Sequence, residues 1–152
     1  METGDLAPDF RLELDGVGMT SLSEILAGGP ALLAFYKVTC PTCQLTLPYL
    51  ARLQGGSFRV LAVSQDGADA VKEFNEAFDV DLPNLLDKAQ EGYPASNAYG
   101  IAYVPAMFLV QPDRRIAWSS CGFQKSGLET LAGLAGKVIF RSEDQVPDWK
   151  PG

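Results

Sequence analysis

The sequence predicts an α/β domain with a mixed central β-sheet and helices on both faces. Three observations carry that expectation. Ala31–Tyr36 is continuously apolar, as a strand covered on both faces must be. Phe58–Ser64 repeats the pattern after an intervening helical stretch, so the two strands form a βαβ unit with parallel pairing. Two hairpin patterns flank the unit, one near each end of the chain. With 152 residues and 47% hydrophobic side chains, the chain is the size of one ordinary domain with a real core.

The elements follow in order. Phe10–Leu14 alternates apolar and polar and is expected to be an exposed strand, turned by Asp15-Gly16. Met19-Thr20 starts a return strand, and Ser21–Ala27 a short helical turn before Gly28-Gly29-Pro30. After the strand Ala31–Tyr36 comes a helix over Pro41–Gln54, ended by Gly55-Gly56. Beyond Phe58–Ser64, the spacing of Ala70, Val71, Phe74, Ala77 and Phe78 predicts a helix over Asp66–Phe78. Pro83–Leu86 is a short strand and Glu91–Tyr99 a short helix stopped by Gly100. Ala106–Val110 and Ile116–Ser120 form a hairpin around Gln111-Pro112-Asp113. A last helix, Ser126–Phe140, carries Leu128, Leu131, Leu134, Val138 and Ile139. Residues 142–152 read as a polar tail whose Trp149 packs back on the body.

Composition narrows the function. A net charge of -7 argues against nucleic acid, because phosphate contacts need clustered Lys and Arg. Histidine is absent, which removes imidazole bases and His-ligated zinc. Three cysteines are too few for a disulfide scaffold and leave at least one thiol unpaired. No run approaches the roughly 18 apolar residues that span a membrane. Met1–Asp5 lacks a signal-peptide pattern. The expected location is cytoplasmic if Met1 is the native start, and extracytoplasmic if a leader has been trimmed.

Chemistry concentrates at Cys40-Pro41-Thr42-Cys43, between a buried strand and a helix. Two thiols three positions apart can close a small disulfide ring and reopen it. The helix N-terminus presents unpaired N–H groups that stabilise a thiolate, the reactive form of cysteine. Pro41 suits the first helical position, where its missing N–H is no loss. Strand, CxxC and helix together read as a redox-active dithiol. The alternative, two inert buried cysteines, ranks well below it.

On these residues the chain resembles the thioredoxin superfamily, in its branch of thiol-disulfide oxidoreductases and AhpC/TSA-like redoxins. The opening Gly4-Asp5-Leu6-Ala7-Pro8-Asp9-Phe10 looks like that of redoxin domains. Cys40 and Cys43 stand at the redox position, Pro48 where the family has a kinking proline, and Val104-Pro105 where it has its cis-proline loop. Gly122 matches a glycine beside the active site, and 68–100 resembles the helical insert of the cytochrome c maturation branch. The likeness covers about residues 4–138 of a single domain spanning 1–152. Two departures separate the chain from thioredoxin itself: Thr39 replaces the usual Trp, and Ala34 the buried Asp.

The resemblance implies a thioredoxin-like fold and a set of roles. Cys40 is the nucleophile and Cys43 the resolving thiol, within an active-site loop of Thr39, Pro41 and Thr42. Val104 and Pro105 form the substrate-binding edge, where the backbone of Val104 pairs with an extended client. Asp66 is either the acceptor of the Cys43 proton or simply the N-cap of its helix. Lys37 is expected to be solvated, Cys121 to be a buried structural thiol, and Tyr36 and Phe123 to form either an apolar rim or core. No metal and no cofactor beyond the dithiol is expected. Partners are protein thiols or disulfides and a protein reductant or oxidant. Two alternatives stay open. One is a peroxiredoxin, although neither cysteine fits Pro-x-x-x-Thr-x-x-Cys. The other is a non-catalytic peptide-binding module.

Overall fold

A computed structural model describes residues 1–152. Its seven-stranded sheet is built from β1 (Arg11–Leu14), β2 (Gly18–Ser21), β3 (Ala31–Tyr36), β4 (Arg59–Ser64), β5 (Asn84–Leu86), β6 (Ala106–Val110) and β7 (Ile116–Cys121), in the order β2-β1-β5-β4-β3-β6-β7. β3, β4 and β5 run parallel, while β6, β7 and the N-terminal hairpin pair antiparallel. This is the expected mixed sheet, with helices on both faces. β1 lies inside the sheet between β2 and β5, with Leu12 fully buried, so β2 is the exposed edge.

The continuous apolar run of β3 is explained by its two faces. Leu32, Ala34 and Tyr36 pack into one core with Leu47 and Leu50 of helix α2 (Pro41–Ala51), Phe74 of α3 (Ala68–Phe78), and Leu128 and Leu131 of α5 (Lys125–Ala135). Ala31, Leu33 and Phe35 pack into a second core with Leu22 and Ile25 of α1 (Leu22–Leu26) and Ala95 of α4 (Pro94–Ala98). Tyr36 and Phe123 are both core residues, not a rim; the Tyr36 hydroxyl donates to Asn84 Oδ1 at 2.6 Å.

Besides β1, expected to be exposed but interior to the sheet, three stretches depart from the sequence reading. α3 starts at Ala68 with Gly67 as its N-cap and no side-chain cap, so Asp66 does not cap it. The last helix stops at Ala135 instead of Phe140, because Gly136 turns left-handed (φ 73) and the Lys137 N–H bonds back to Ala132 O. Val138, past that stop, is exposed, and Leu134, in the last turn of the helix, is exposed as well, whereas Ile139 is buried and the Phe140 ring lies 4.7 Å from that of Tyr49. The polar tail docks by its backbone: β9 (Trp149–Lys150) pairs antiparallel with β8 (Phe123–Gln124), while the Trp149 indole faces solvent. No helix is long and apolar enough to cross a membrane.

α4 is held by a remote cap. Tyr93 at its N-cap offers no side-chain bond, and Pro94 has no N–H. The fully buried Asp87 carboxylate instead accepts from Ala95 N–H (2.9 Å) and Ser96 N–H (2.8 Å). Asp87→Ala leaves both donors buried without acceptors and is expected to cost about 2–4 kcal/mol in urea unfolding. A loss below about 0.5 kcal/mol would show that the helix finds other acceptors.

Candidate active site

The buried strand β3 delivers the chain into Lys37-Val38-Thr39, and a turn (Cys40 N–H to Lys37 O, 3.3 Å) brings Cys40 to the start of α2. Cys40 is itself the N-cap, with extended backbone and a sulfur that accepts the Cys43 N–H at 3.2 Å. A thiolate there sits on the positive end of the helix with a backbone N–H already aimed at it. Pro41 occupies the first turn without wasting a donor.

The approach loop is clamped at Val38. Its N–H donates to Asp66 Oδ2 at 2.9 Å, and its carbonyl accepts from Gln44 Nε2 at 3.1 Å. Asp66 is fixed in turn by its backbone, whose N–H donates to Ser64 Oγ at 2.9 Å. Asp66 therefore holds the loop that carries Cys40. Gln44 gave no sequence signal, because a glutamine on a helix is ordinary until the fold brings a loop carbonyl to it. Lys37 and Thr39 are exposed.

The two thiols differ in surroundings. Cys40 is partly exposed and points its sulfur at the Val104 carbonyl, 3.6 Å away. Cys43 is fully buried; burial, then its hydrogen bond to the Cys40 sulfur, pushes its thiol well above the usual cysteine range. The Val104–Pro105 bond is cis, and Pro105 O accepts the Gly122 N–H at 2.8 Å, tying this loop to β8. Cys121 is exposed, not buried, and its thiol points at Tyr103 O, 3.8 Å away. No three cysteine or carboxylate side chains converge as a metal site.

The environment of Cys43 has a consequence for stability. Its raised pKa in the folded state means that stability is complete below the unfolded thiol's pKa of about 8.5 and declines as pH rises above it. The reduced protein is expected to lose about 1.5 kcal/mol between pH 8.5 and 10, a loss largely missing from Cys43→Ala. Equal slopes in urea titrations of the two proteins would contradict this.

Residues 3–119 match the AhpC/TSA family. The thiol-disulfide oxidoreductase ResA of Bacillus anthracis is 27% identical over 143 residues, covering 91% of this chain and 79% of its own length. Among solved structures, the thioredoxin domain of a thiol-disulfide oxidoreductase from Bacteroides vulgatus superposes with a TM-score of 0.76 at 21% identity, over 89% of this chain and 99% of that one. Peroxidoxin BcpB from Mycobacterium tuberculosis gives 0.69 at 23% identity, over 88% and 98%. The backbone is thus shared by oxidoreductases and a peroxidoxin, and the side chains must separate them.

Proposed function

The chain belongs to the AhpC/TSA family, and from that premise we infer that it is a thiol-disulfide oxidoreductase working through Cys40 and Cys43. The observation that carries the reading is the pairing of an accessible Cys40 at the mouth of α2 with a buried Cys43 whose N–H it already accepts. That arrangement suits a nucleophile and a resolving thiol.

The cycle balances on these two side chains. The Cys40 thiolate attacks one sulfur of a client disulfide; that S–S bond breaks, and the released client thiolate takes up a proton. Cys43 then loses its proton and attacks the Cys40 sulfur. The mixed disulfide breaks, Cys40–Cys43 forms, and the client leaves as a dithiol two electrons richer. A protein dithiol restores the pair, and the reverse sequence oxidises a client. Burial keeps Cys43 protonated while Cys40 reacts, so the order of attack is built into the site.

Val104 and Pro105 are the client edge in this reading, with the Val104 carbonyl beside the reacting sulfur. Resolution needs a base for the Cys43 proton, and Asp66 is the carboxylate hydrogen-bonded to the loop leading to Cys40. Thr39, Pro41 and Thr42 shape the ring that the disulfide closes.

Cys43→Ser should accumulate a mixed disulfide between Cys40 and an oxidised protein client, visible on non-reducing gels, and Cys40→Ser should abolish exchange. Rapid Cys40-dependent peroxide consumption without disulfide exchange would move the chain to the peroxidases. Asp66→Asn should slow the second step by about tenfold or more and flatten its pH dependence. An unchanged pH-rate profile would leave Asp66 as a loop brace alone.

A further inference from the structure

The last residues of the chain lie across the dithiol. Three surfaces meet there: the mouth of α2 at Cys40–Thr42, the Val104–Pro105 loop, and the edge of β8. Trp149–Gly152 touches each. Its backbone pairs with β8, Lys150 opposite Phe123 and Trp149 opposite Gln124, and the Lys125 N–H extends the ladder to Asp148 O at 2.9 Å. The Thr42 hydroxyl, inside the Cys-Pro-Thr-Cys ring, donates to Pro151 O at 2.6 Å. Gly152 is seated so closely that a Cβ there would run into the Val104 carbonyl, the group at which the Cys40 sulfur points.

Two glycines permit this approach. A side chain on Gly122 would meet Lys150 O at 2.7 Å, and its φ of +74 disfavours any other residue. Gly152 allows backbone-to-backbone contact with Val104. The attachment is otherwise light. Trp149, Pro151 and Gly152 are exposed, and the indole enters no core. The chain just before is firmly anchored: Val146 packs on the main core, and Asp144 pairs with Arg52 at 2.9 Å. The segment past Pro147 can therefore lift while 139–146 stays in place.

We propose that Trp149–Gly152 is a tethered strap occupying the client groove, bound as an extended client would be and displaced by it. The proposal rests on the exchange reading above. When the strap lifts, it frees the β8 edge, the Thr42 hydroxyl and the Val104 backbone together, which are the contacts that strand addition uses. Clients are thereby selected for an extended segment flanking their disulfide, and small thiols for their ability to pass beneath.

The test compares the full chain, a chain stopped after Asp148, and full-length Gly152→Val, all with Cys121→Ser so that Cys40 is the accessible thiol. Alkylation of Cys40 by a polyethylene-glycol maleimide is expected to rise about three- to tenfold in both altered chains, with iodoacetamide changing less than about twofold. Exchange kcat/KM on an oxidised protein should rise in parallel, and the peptide Asp-Trp-Lys-Pro-Gly should inhibit the shortened chain. Equal maleimide and exchange rates in all three chains overturn the strap and leave the exchange reading intact. Absence of exchange from every chain overturns the exchange reading, and the maleimide ratio then decides the strap alone.

Discussion

The site depends on one hydrogen bond, from the Cys43 N–H to the Cys40 sulfur at the first turn of α2. A helix start needs an acceptor for its free N–H groups, normally the oxygen of Ser, Thr, Asp or Asn. Here that duty falls on a thiol. The same bond that finishes the helix also stabilises negative charge on the group that must carry it. Structural and catalytic demands converge on one atom, and the fold is arranged to keep it in place. β3 is buried on both faces and so cannot shift. Val38 is held from one side by Asp66 and from the other by Gln44. Helix α2 is pinned to the sheet by Leu47 and Leu50.

The second thiol draws its character from the opposite circumstance. Cys43 is the third residue of α2, fully buried in the core that also holds Leu47 and Phe123. Burial penalises its charged form, so the pair divides into one partly exposed sulfur and one buried one; in the proposed cycle the first meets clients and the second resolves. The division needs no histidine, in keeping with a chain that has none. Three positions of sequence are enough to separate an exposed cap from a buried helical residue.

Much of this was legible in the sequence because it is local. Apolar continuity in Ala31–Tyr36 announces a two-faced strand, and the Cys-Pro-Thr-Cys spacing announces a cap and a first turn. What escaped was settled by partners distant in the chain. Asp66 could read as a helix cap, since Asp favours that place; only the fold shows Val38 arriving to claim its carboxylate. Val138 and Ile139 continued a helical period that Gly136 cuts short, because a left-handed glycine outweighs apolar spacing. Tyr36 is hidden because Asn84, 48 positions later, satisfies its hydroxyl.

The C-terminal segment is the sharpest case of this limit. A reading by side chains looks to Trp149 for an anchor, since an indole is the largest apolar group in a polar stretch. The fold uses everything except the indole. Trp149–Gly152 attaches through amides, one carbonyl and the absence of a side chain at Gly152, none of which leaves a hydrophobic pattern. Backbone pairing of this kind is indifferent to sequence, and so is the recognition of varied clients by a disulfide-exchange site. A groove that accepts many extended segments through main-chain contacts will also accept a segment of its own chain, provided the tether reaches and nothing bulky intervenes. Phe140, Asp144 and Val146 bring the tether within reach, and Gly122 and Gly152 clear the way. Light attachment then follows from the same logic: a strap held by an apolar anchor would close the site, whereas one held by a few exchangeable hydrogen bonds yields to any client that offers the same bonds and a disulfide.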